Sequence, residues 1–514
     1  MTGQFKESIT RGYSFKGSSV VFGTGMLDGK SVDNLLVSAP LRTFNRHGLI
    51  AGATGTGKTK TFQGLAESLS AAGIPLLVMD IKGDLSGLSQ PGNPHPKIDE
   101  RHGHIGIPWK PVGYPVELLS ISGEKGTRLR ATVSEFGPVL FSKMLELNDT
   151  QAGVVSLVFK YCDDHGFPLV DLKDFKKTVQ YLTNEGKEEI EAEYGRISTA
   201  SAGTIIRQVV ALEQQGAEEF FGEPSFEVED LLRVDERGYG TINILRLADI
   251  QSRPRMFSTF MLCLLAEIYE RFPEEGDLDQ PKLVIFVDEA HLVFEEASKA
   301  LIDQLEMTIK LIRSKGVGVF FCTQTPGDIP ASILSQLGMK IQHALRAFTA
   351  NDRKAIKLTA ENYPLTEFYK TDEVLTSLGI GEALVTLLNE KGIPTPLVHT
   401  LLRAPQSRMD ILSDGEIDAL VSRSPLESRY RTTVDAESAY EILSKKMEAA
   451  REEPAPQRGK RPAQEKSSFE KVVTNPVTRS VSTVVARELT RGLLGVLGIS
   501  TTTRRRRKSK SGWF

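Results

Sequence analysis

The chain has 514 residues, 40% of them hydrophobic and 25% charged, the make-up of an ordinary folded protein with room for a large core and at least one further domain. No uncharged stretch approaches a membrane span and the first residues carry no apolar signal core, so neither a membrane span nor a secretory signal is expected and a cytoplasmic home is. The net charge of −3 hides an asymmetry: from Arg451 onward 15 Lys/Arg stand against 5 Asp/Glu, leaving −13 on the rest, which argues against an open nucleic-acid surface on the body.

Residues 1–40 hold two β-rich runs, SVVFG and NLLVSAP, read as a short N-terminal β element. Residues 41–126 open the main domain. There HGLIA, strand text, runs straight into Gly52–Thr59, GATGTGKT, and then into helical text. This fits G-x-x-x-x-G-K-[ST], a loop whose backbone N–H groups curl around phosphate oxygens. Lys58 adds a point charge at the β/γ phosphates and Thr59 offers a hydroxyl to Mg²⁺. The helix that follows points its positive end at the same anion. Gly52, Ala53, Thr54, Gly55, Thr56, Gly57, Lys58, Thr59 and Lys60 are therefore the nucleotide-binding candidates.

IPLLVMDIKGD leaves Asp80, Lys82 and Asp84 just past an apolar run. Asp80 reads equally as an acceptor toward water or a metal shell and as a plain strand-to-loop cap. The next stretch, rich in Pro, Gly and His, reads as irregular. Its His95, His102 and His104 lack a tight Cys/His ligand pattern and read as solvated. Residues 127–235 have apolar positions at three- and four-residue spacing, with Asn148 at a helix start, and form an expected all-helical insertion.

Strand and helix text alternate again over 236–403. KLVIFVDEAHLVF is a buried parallel strand ending in Asp288-Glu289, where open α/β sheets bind ligands. Asp288 is placed to hold the Mg²⁺ shell, and Glu289 to orient and deprotonate a water for attack on the γ-phosphate. Val317 to Cys322 form another buried strand, and Gln324 beyond it is placed to touch γ-phosphate and water, or else belongs to a turn cap. GEALVTLLNEKGIPTPLVHTLLR reads as a closing hairpin. Residues 404–450 are helical text, 451–480 a disordered linker, and 481–514 an amphipathic helix with a basic tail. No N-K-x-D for guanine is present, the nearest text being Tyr369 to Asp372, which favours ATP over GTP. Cys162, Cys263 and Cys322 are widely spaced and read as buried thiols in a reducing compartment.

GATGTGKT, VMDIKGD, VIFVDEAH and SKGVGVFFCTQTPGDIP, in that order, resemble the HerA/FtsK class of motor ATPases, and more closely the YjgR-type branch of HerA-like bacterial proteins. STASAGTIIRQVVALEQQGAEEFFGEPSFEVEDLL and QLGMKIQHALRAFTANDRKAIK carry the resemblance beyond the nucleotide motifs. It implies an α/β fold, an additional-strand P-loop core of RecA-like, mainly parallel sheet. It further implies a homo-oligomeric ring, usually hexameric, that spends ATP with Mg²⁺ on DNA translocation or unwinding. HerA itself docks a nuclease through an N-terminal barrel, for which the lead before Gly52 is too short. On the same resemblance Arg313 is the candidate finger reaching a neighbour's γ-phosphate, with Arg346 in reserve. Arg313 also reads as a cation balancing a helix dipole. A ring ATPase acting on protein, or a nucleotide-gated scaffold, is the alternative to a DNA motor.

Overall fold

The computed structural model describes residues 2–452 apart from Ser252, Asp277, Glu296, Ser298, Asp435 and Ala436. The linker beyond Glu452 and the amphipathic basic tail read from the sequence lie outside the described residues. Two compact units are present: residues 1–131 with 210–435, and residues 132–209 with the helix Ala439–Glu452.

One sheet of twelve strands organises the first unit. In chain order these are β1 (Ser19–Leu27), β2 (Lys30–Pro40), β3 (Gly48–Ala51), β4 (Leu76–Asp80), β5 (Val116–Ser120), β6 (Thr127–Arg128), β7 (Ile242–Arg246), β8 (Leu283–Val287), β9 (Val317–Thr323), β10 (Met339–Gln342), β11 (Glu382–Thr386) and β12 (Val398–Leu402). Across the sheet they lie in the order β2-β1-β12-β11-β10-β3-β9-β8-β4-β7-β5-β6. Every pairing from β10 to β6 is parallel, and the four strands beyond β10 join antiparallel. β9 stands between β3 and β8, which makes it the additional strand of such a core.

The strands are central because their sequences are apolar on both faces. β8 (Leu-Val-Ile-Phe-Val) and β9 are buried at every position, as parallel strands covered on both sides must be. Helix Lys58–Ala71 lays Phe62, Leu65 and Leu69 on this surface, with Phe62 edge-on to Phe286 at 4.6 Å between centroids. Phe286 continues to Phe320 at 5.2 Å and Phe320 to Phe44 at 5.7 Å, an aromatic seam through the core. The β1–β2 hairpin belongs to the sheet, since Gly23 lies opposite Leu402 of β12. A helix, Thr2–Gly12, precedes it and buries Phe5 and Ile9. Two apolar residues one turn apart were too faint a period to read in 1–40.

The His- and Pro-rich stretch is not irregular throughout. It folds as helix Pro96–Ile105, with Pro96 in the first turn, where its missing N–H costs nothing, and Gly106 left-handed at the end. His102 is buried rather than solvated: its Nδ1 lies 2.8 Å from the Ile107 carbonyl and its Nε2 accepts from Ala404 N at 3.2 Å. Among the described residues no group of three or more His, Cys, Asp and Glu side chains is gathered so as to hold a metal, and no helix is long and apolar enough to cross a membrane.

The second unit is helical: Val133–Met144, Asp149–His165, Leu172–Thr183, Lys187–Glu193 and the start of Thr199–Glu213. Asn148 caps its helix by accepting from Gln151 N at 3.0 Å. Phe141, Phe159 and Phe175 form its centre, 4.7–6.1 Å apart. Helix Ala439–Glu452 returns to it, Asp174 accepting from Tyr440 N (2.8 Å) and Ser438 Oγ (2.5 Å). Residues 210–235 group with the sheet unit.

Candidate active site

The phosphate loop leaves the end of β3 and enters helix Lys58–Ala71 through Gly57, which is left-handed (φ +102). Gly52, at φ +152, lies so close to β10's continuation that a Cβ there would meet His343 Cβ at 2.5 Å. The loop is also held by backbone bonds from both flanks. Gly52 N donates to Thr323 O (3.3 Å), Ala53 N to Ala344 O (2.8 Å), and Gly381 N to Thr56 O (3.0 Å). Thr54 and Gly55 are exposed at the crest. Thr56 is buried with its hydroxyl on Ala53 O at 2.7 Å. The Lys60 ammonium turns away to Met409 O (2.6 Å) and Gln63 Oε1 (3.2 Å), so what Lys60 presents to the loop is its backbone amide.

Lys58 Nζ is inside the loop's curl, bonded to Gly52 O and, at 3.2 Å, to Ala53 O. Burial draws its pKa below the ordinary lysine value, against the pull of Glu289 and Asp288. Those two carboxylates sit just past β8. Asp288 N bonds Met79 O of β4 (3.3 Å) and Ala290 N bonds Cys322 O of β9 (2.9 Å). The chain on either side of Glu289 is therefore pinned to adjacent strands, and Glu289 itself takes a left-handed backbone, φ +43. A non-glycine residue held there costs on the order of 1–3 kcal/mol, and such strain concentrates at functional sites.

Asp288 is 3% exposed, and its Oδ2 has no hydrogen-bond partner. Burial raises its pKa, with Lys82 opposing and Glu289 reinforcing. An acceptor-only oxygen buried at the sheet's C-terminal edge is costly to leave unmatched, and it matches the oxygen-ligand chemistry of Mg²⁺. With the half-buried Thr59 on the first helical turn, these residues fit that ion.

Asp80 has the capping role: its carboxylate accepts from Gly83 N (2.8 Å), Asp84 N (3.2 Å) and Leu85 N (3.1 Å). Burial first, and Asp84 second, push its pKa up to about 7. Gln324 is exposed just beyond β9. The turn after it is capped by Thr325 and Asp328, so Gln324 is left facing an open cleft of about 600 Å³ shared with His291 and Phe294. A larger cavity of about 870 Å³, lined by Lys340, Leu365 and Phe368 among others, opens at the start of β10, away from this chemistry.

The two arginines part company. Arg346 is exposed four residues past β10, on the same edge as the phosphate loop, its Nη1 3.5 Å from Thr376 O. Arg313 is exposed in the turn ahead of β9. Seven strand residues at about 3.3 Å each separate it from Gln324, so Arg313 cannot reach the phosphate loop of its own chain. Two residues of the site carried no role in the sequence reading. Lys82 pairs with Glu289 Oε1 and lies 3.9 Å from Asp288 Oδ2. His343 is fully buried under the loop, and burial, with Lys58's charge adding, lowers its pKa to about 4. A lysine just past the Asp80 strand was the visible signal for the first; nothing marked the second.

The family model described as the helicase HerA-like C-terminal domain matches residues 27–467. The chain belongs to that family. Among HerA-like proteins it is similar to the DNA double-strand break repair helicase HerA of Sulfolobus acidocaldarius, 23% identical over 390 residues that span 71% of this chain and 68% of that one. In fold it is similar to the bacterial conjugative coupling protein TrwB lacking its first 70 residues. The trigonal form in complex with sulphate gives a TM-score of 0.51 at 15% identity, covering 79% of this chain and 94% of that one. The unbound monoclinic form gives 0.50 at 15% identity, covering 80% and 94%. At these identities the likeness establishes the RecA-like P-loop fold.

Proposed function

We propose that this HerA-like protein hydrolyses ATP and couples turnover to translocation along, or remodelling of, DNA from within a closed ring of its own copies in the cytoplasm. The observation that carries the hydrolase reading is the meeting of Lys58, Asp288 and Glu289 at the C-terminal edge of the sheet. Lys58 and the loop amides bind the phosphates, Thr59 and Asp288 hold Mg²⁺, and Glu289 orients and deprotonates the attacking water, with Gln324 beside it. The ion, when bound, neutralises charge on the terminal phosphates.

One observation supports the ring: Arg313 stands at the sheet edge opposite its own phosphate loop, so a role on a γ-phosphate would fall to another copy, and head-to-tail contacts that close give cyclic symmetry. The relative named for DNA repair supports DNA as the polymer. The charge of −13 ahead of Arg451 favours the second reading, a ring ATPase working on protein.

The test measures binding of a non-hydrolysable ATP analogue, phosphate release with and without DNA, and particle size with and without ATP. Lys58→Ala should lose tight binding, whereas Glu289→Gln should keep it and lose turnover, because Glu289 acts on the water only as the bond breaks. A Glu289→Gln protein hydrolysing at the wild-type rate would sink the assignment, and turnover indifferent to DNA would move the reading to protein.

A further inference from the structure

Lys82 brings an ammonium onto the carboxylate that the hydrolytic step needs. The loop carrying it is fixed at the backbone, because Asp80 accepts the amides of Gly83, Asp84 and Leu85. The freedom in this segment lies in the Lys82 side chain, which is 36% exposed while the carboxylates of Asp288 and Glu289 are 5% and 9%. Its Nζ is paired with Glu289 Oε1, and the other oxygen, Oε2, lies 3.2 Å from His291 Nδ1. Oε2 nevertheless has no hydrogen-bond partner, so it is the ammonium on Oε1 that holds the carboxylate in place and pairs its charge. Lys58 and Lys82 each lie within range of the same two carboxylates and of one another.

We propose that Lys82 reads the terminal phosphate of the nucleotide: it holds Glu289 until a γ-phosphate beside Lys58 takes the ammonium, and its departure frees Glu289 for the water. The proposal rests on the ATP reading above. The exchange follows from charge, since a terminal phosphate carries more negative charge than one carboxylate and a lysine binds it as a point charge. ADP ends at the β-phosphate, which Lys58 and the loop amides already serve, so ADP leaves Lys82 on Glu289. The arrangement makes hydrolysis conditional on a complete triphosphate and re-engages the glutamate once phosphate leaves.

The test compares ADP with a non-hydrolysable ATP analogue, both with Mg²⁺, on the full chain. Lys82→Ala should weaken the analogue about ten- to a hundredfold, the range of one hydrogen bond to a charged group, and leave ADP within about twofold. Lys82→Arg should restore most of the preference. Glu289→Gln should tighten the analogue when Lys82 is present and not when it is Ala, since removing the competing partner matters only if the two are coupled. ADP binding doubles as the check on folding. If Lys82→Ala fails it, Lys82→Met, which keeps the aliphatic stem without the charge, decides by the same ratio. Equal loss for both nucleotides, or none for either, overturns the sensor role. A wild-type protein that binds neither nucleotide overturns the ATP reading and the sensor together, whereas normal turnover with an unchanged ratio in Lys82→Ala overturns the sensor alone.

Discussion

Replacing Gly52 by alanine tests whether the phosphate loop is held by close packing against β10. The added Cβ would meet His343 Cβ at 2.5 Å, with the His343 backbone at 3.1 Å, and the residue would have to sustain φ +152. Overpacking of this kind costs about 1–3 kcal/mol and a backbone region unsuited to L-residues about 1–3 more, so Gly52→Ala should lose about 2–6 kcal/mol. That is a large part of the 5–15 kcal/mol typical of a domain, by the usual order of magnitude. The clash is with a β-carbon, which separates this account from a general effect. His343→Ala keeps that carbon and should not rescue Gly52→Ala, whereas His343→Gly removes it and should recover about 1–3 kcal/mol in a double-mutant cycle. Urea unfolding can be followed by Trp109, half-buried in the sheet unit with its Nε1 donating to Pro405 O at 2.7 Å, in a Trp513→Phe background. Rescue by His343→Ala equal to that by His343→Gly, or a loss under about 0.5 kcal/mol, the size of an ordinary surface change, would refute the reasoning.

His47 should make the sheet unit acid-sensitive. Its Nδ1 accepts from Val319 N (3.0 Å), so the proton sits on Nε2 and points at Ile309 O (2.9 Å); burial lowers its pKa from 6.5 to about 4, with Arg313's charge adding. The unfolded chain therefore binds a proton that the folded one refuses between those values, and stability falls as pH drops from 6.5 to 4, by about 3 kcal/mol at 1.36 kcal/mol per unit. His343 shares the window, while Asp80, its pKa raised to about 7, binds a proton in the folded state over the same range and opposes both histidines. His47→Gln should therefore remove a fall of about 3 kcal/mol relative to wild type in unfolding series from pH 7 to pH 4, and an unchanged slope contradicts the assignment. Mixing Arg313→Ala subunits with Lys58→Ala subunits should restore part of the ATPase activity that neither has alone, because some interfaces regain a complete site and such a cation is worth about 10³-fold or more. No recovery in particles shown to be mixed counts against a finger supplied by the neighbour.

The fold was legible wherever apolar runs end in punctuation. The β3 and β8 runs, all buried, stop at Gly52 and Asp288, and the β11–β12 hairpin has its turn residues between two β-rich segments. The order of strands was not legible from patterning, and the additional strand came from the resemblance. Helix Pro96–Ile105 was hidden because its composition of Pro, His and Gly is that of a loop. What the chain around Glu289 does was hidden for another reason. Lys82 and Glu289 meet only through the parallel pairing of β4 with β8, and His343 lies under Gly52 only through the register that sets Gln342 opposite Ala51. Pairings between distant segments leave no trace in local text. The return of helix Ala439–Glu452 to Asp174 is of the same kind.

The bond from Gly381 N to Thr56 O turns the phosphate loop into one end of a tether. At the other end Arg101 grips three carbonyls, Gly381 and Leu402 through Nη1 and Ile380 through Nη2, each at 3.0 Å, while Leu402 N returns a bond to Gly381 O at 3.0 Å. β12, which carries Leu402, is paired in turn with β1 at Gly23. A displacement of the loop is thus felt at the antiparallel border of the sheet without passing through the parallel strands that hold the carboxylates. The amide of Gly381 becomes a strain gauge for the loop: its rate of deuterium exchange records, one hydrogen bond at a time, how tightly the loop is drawn.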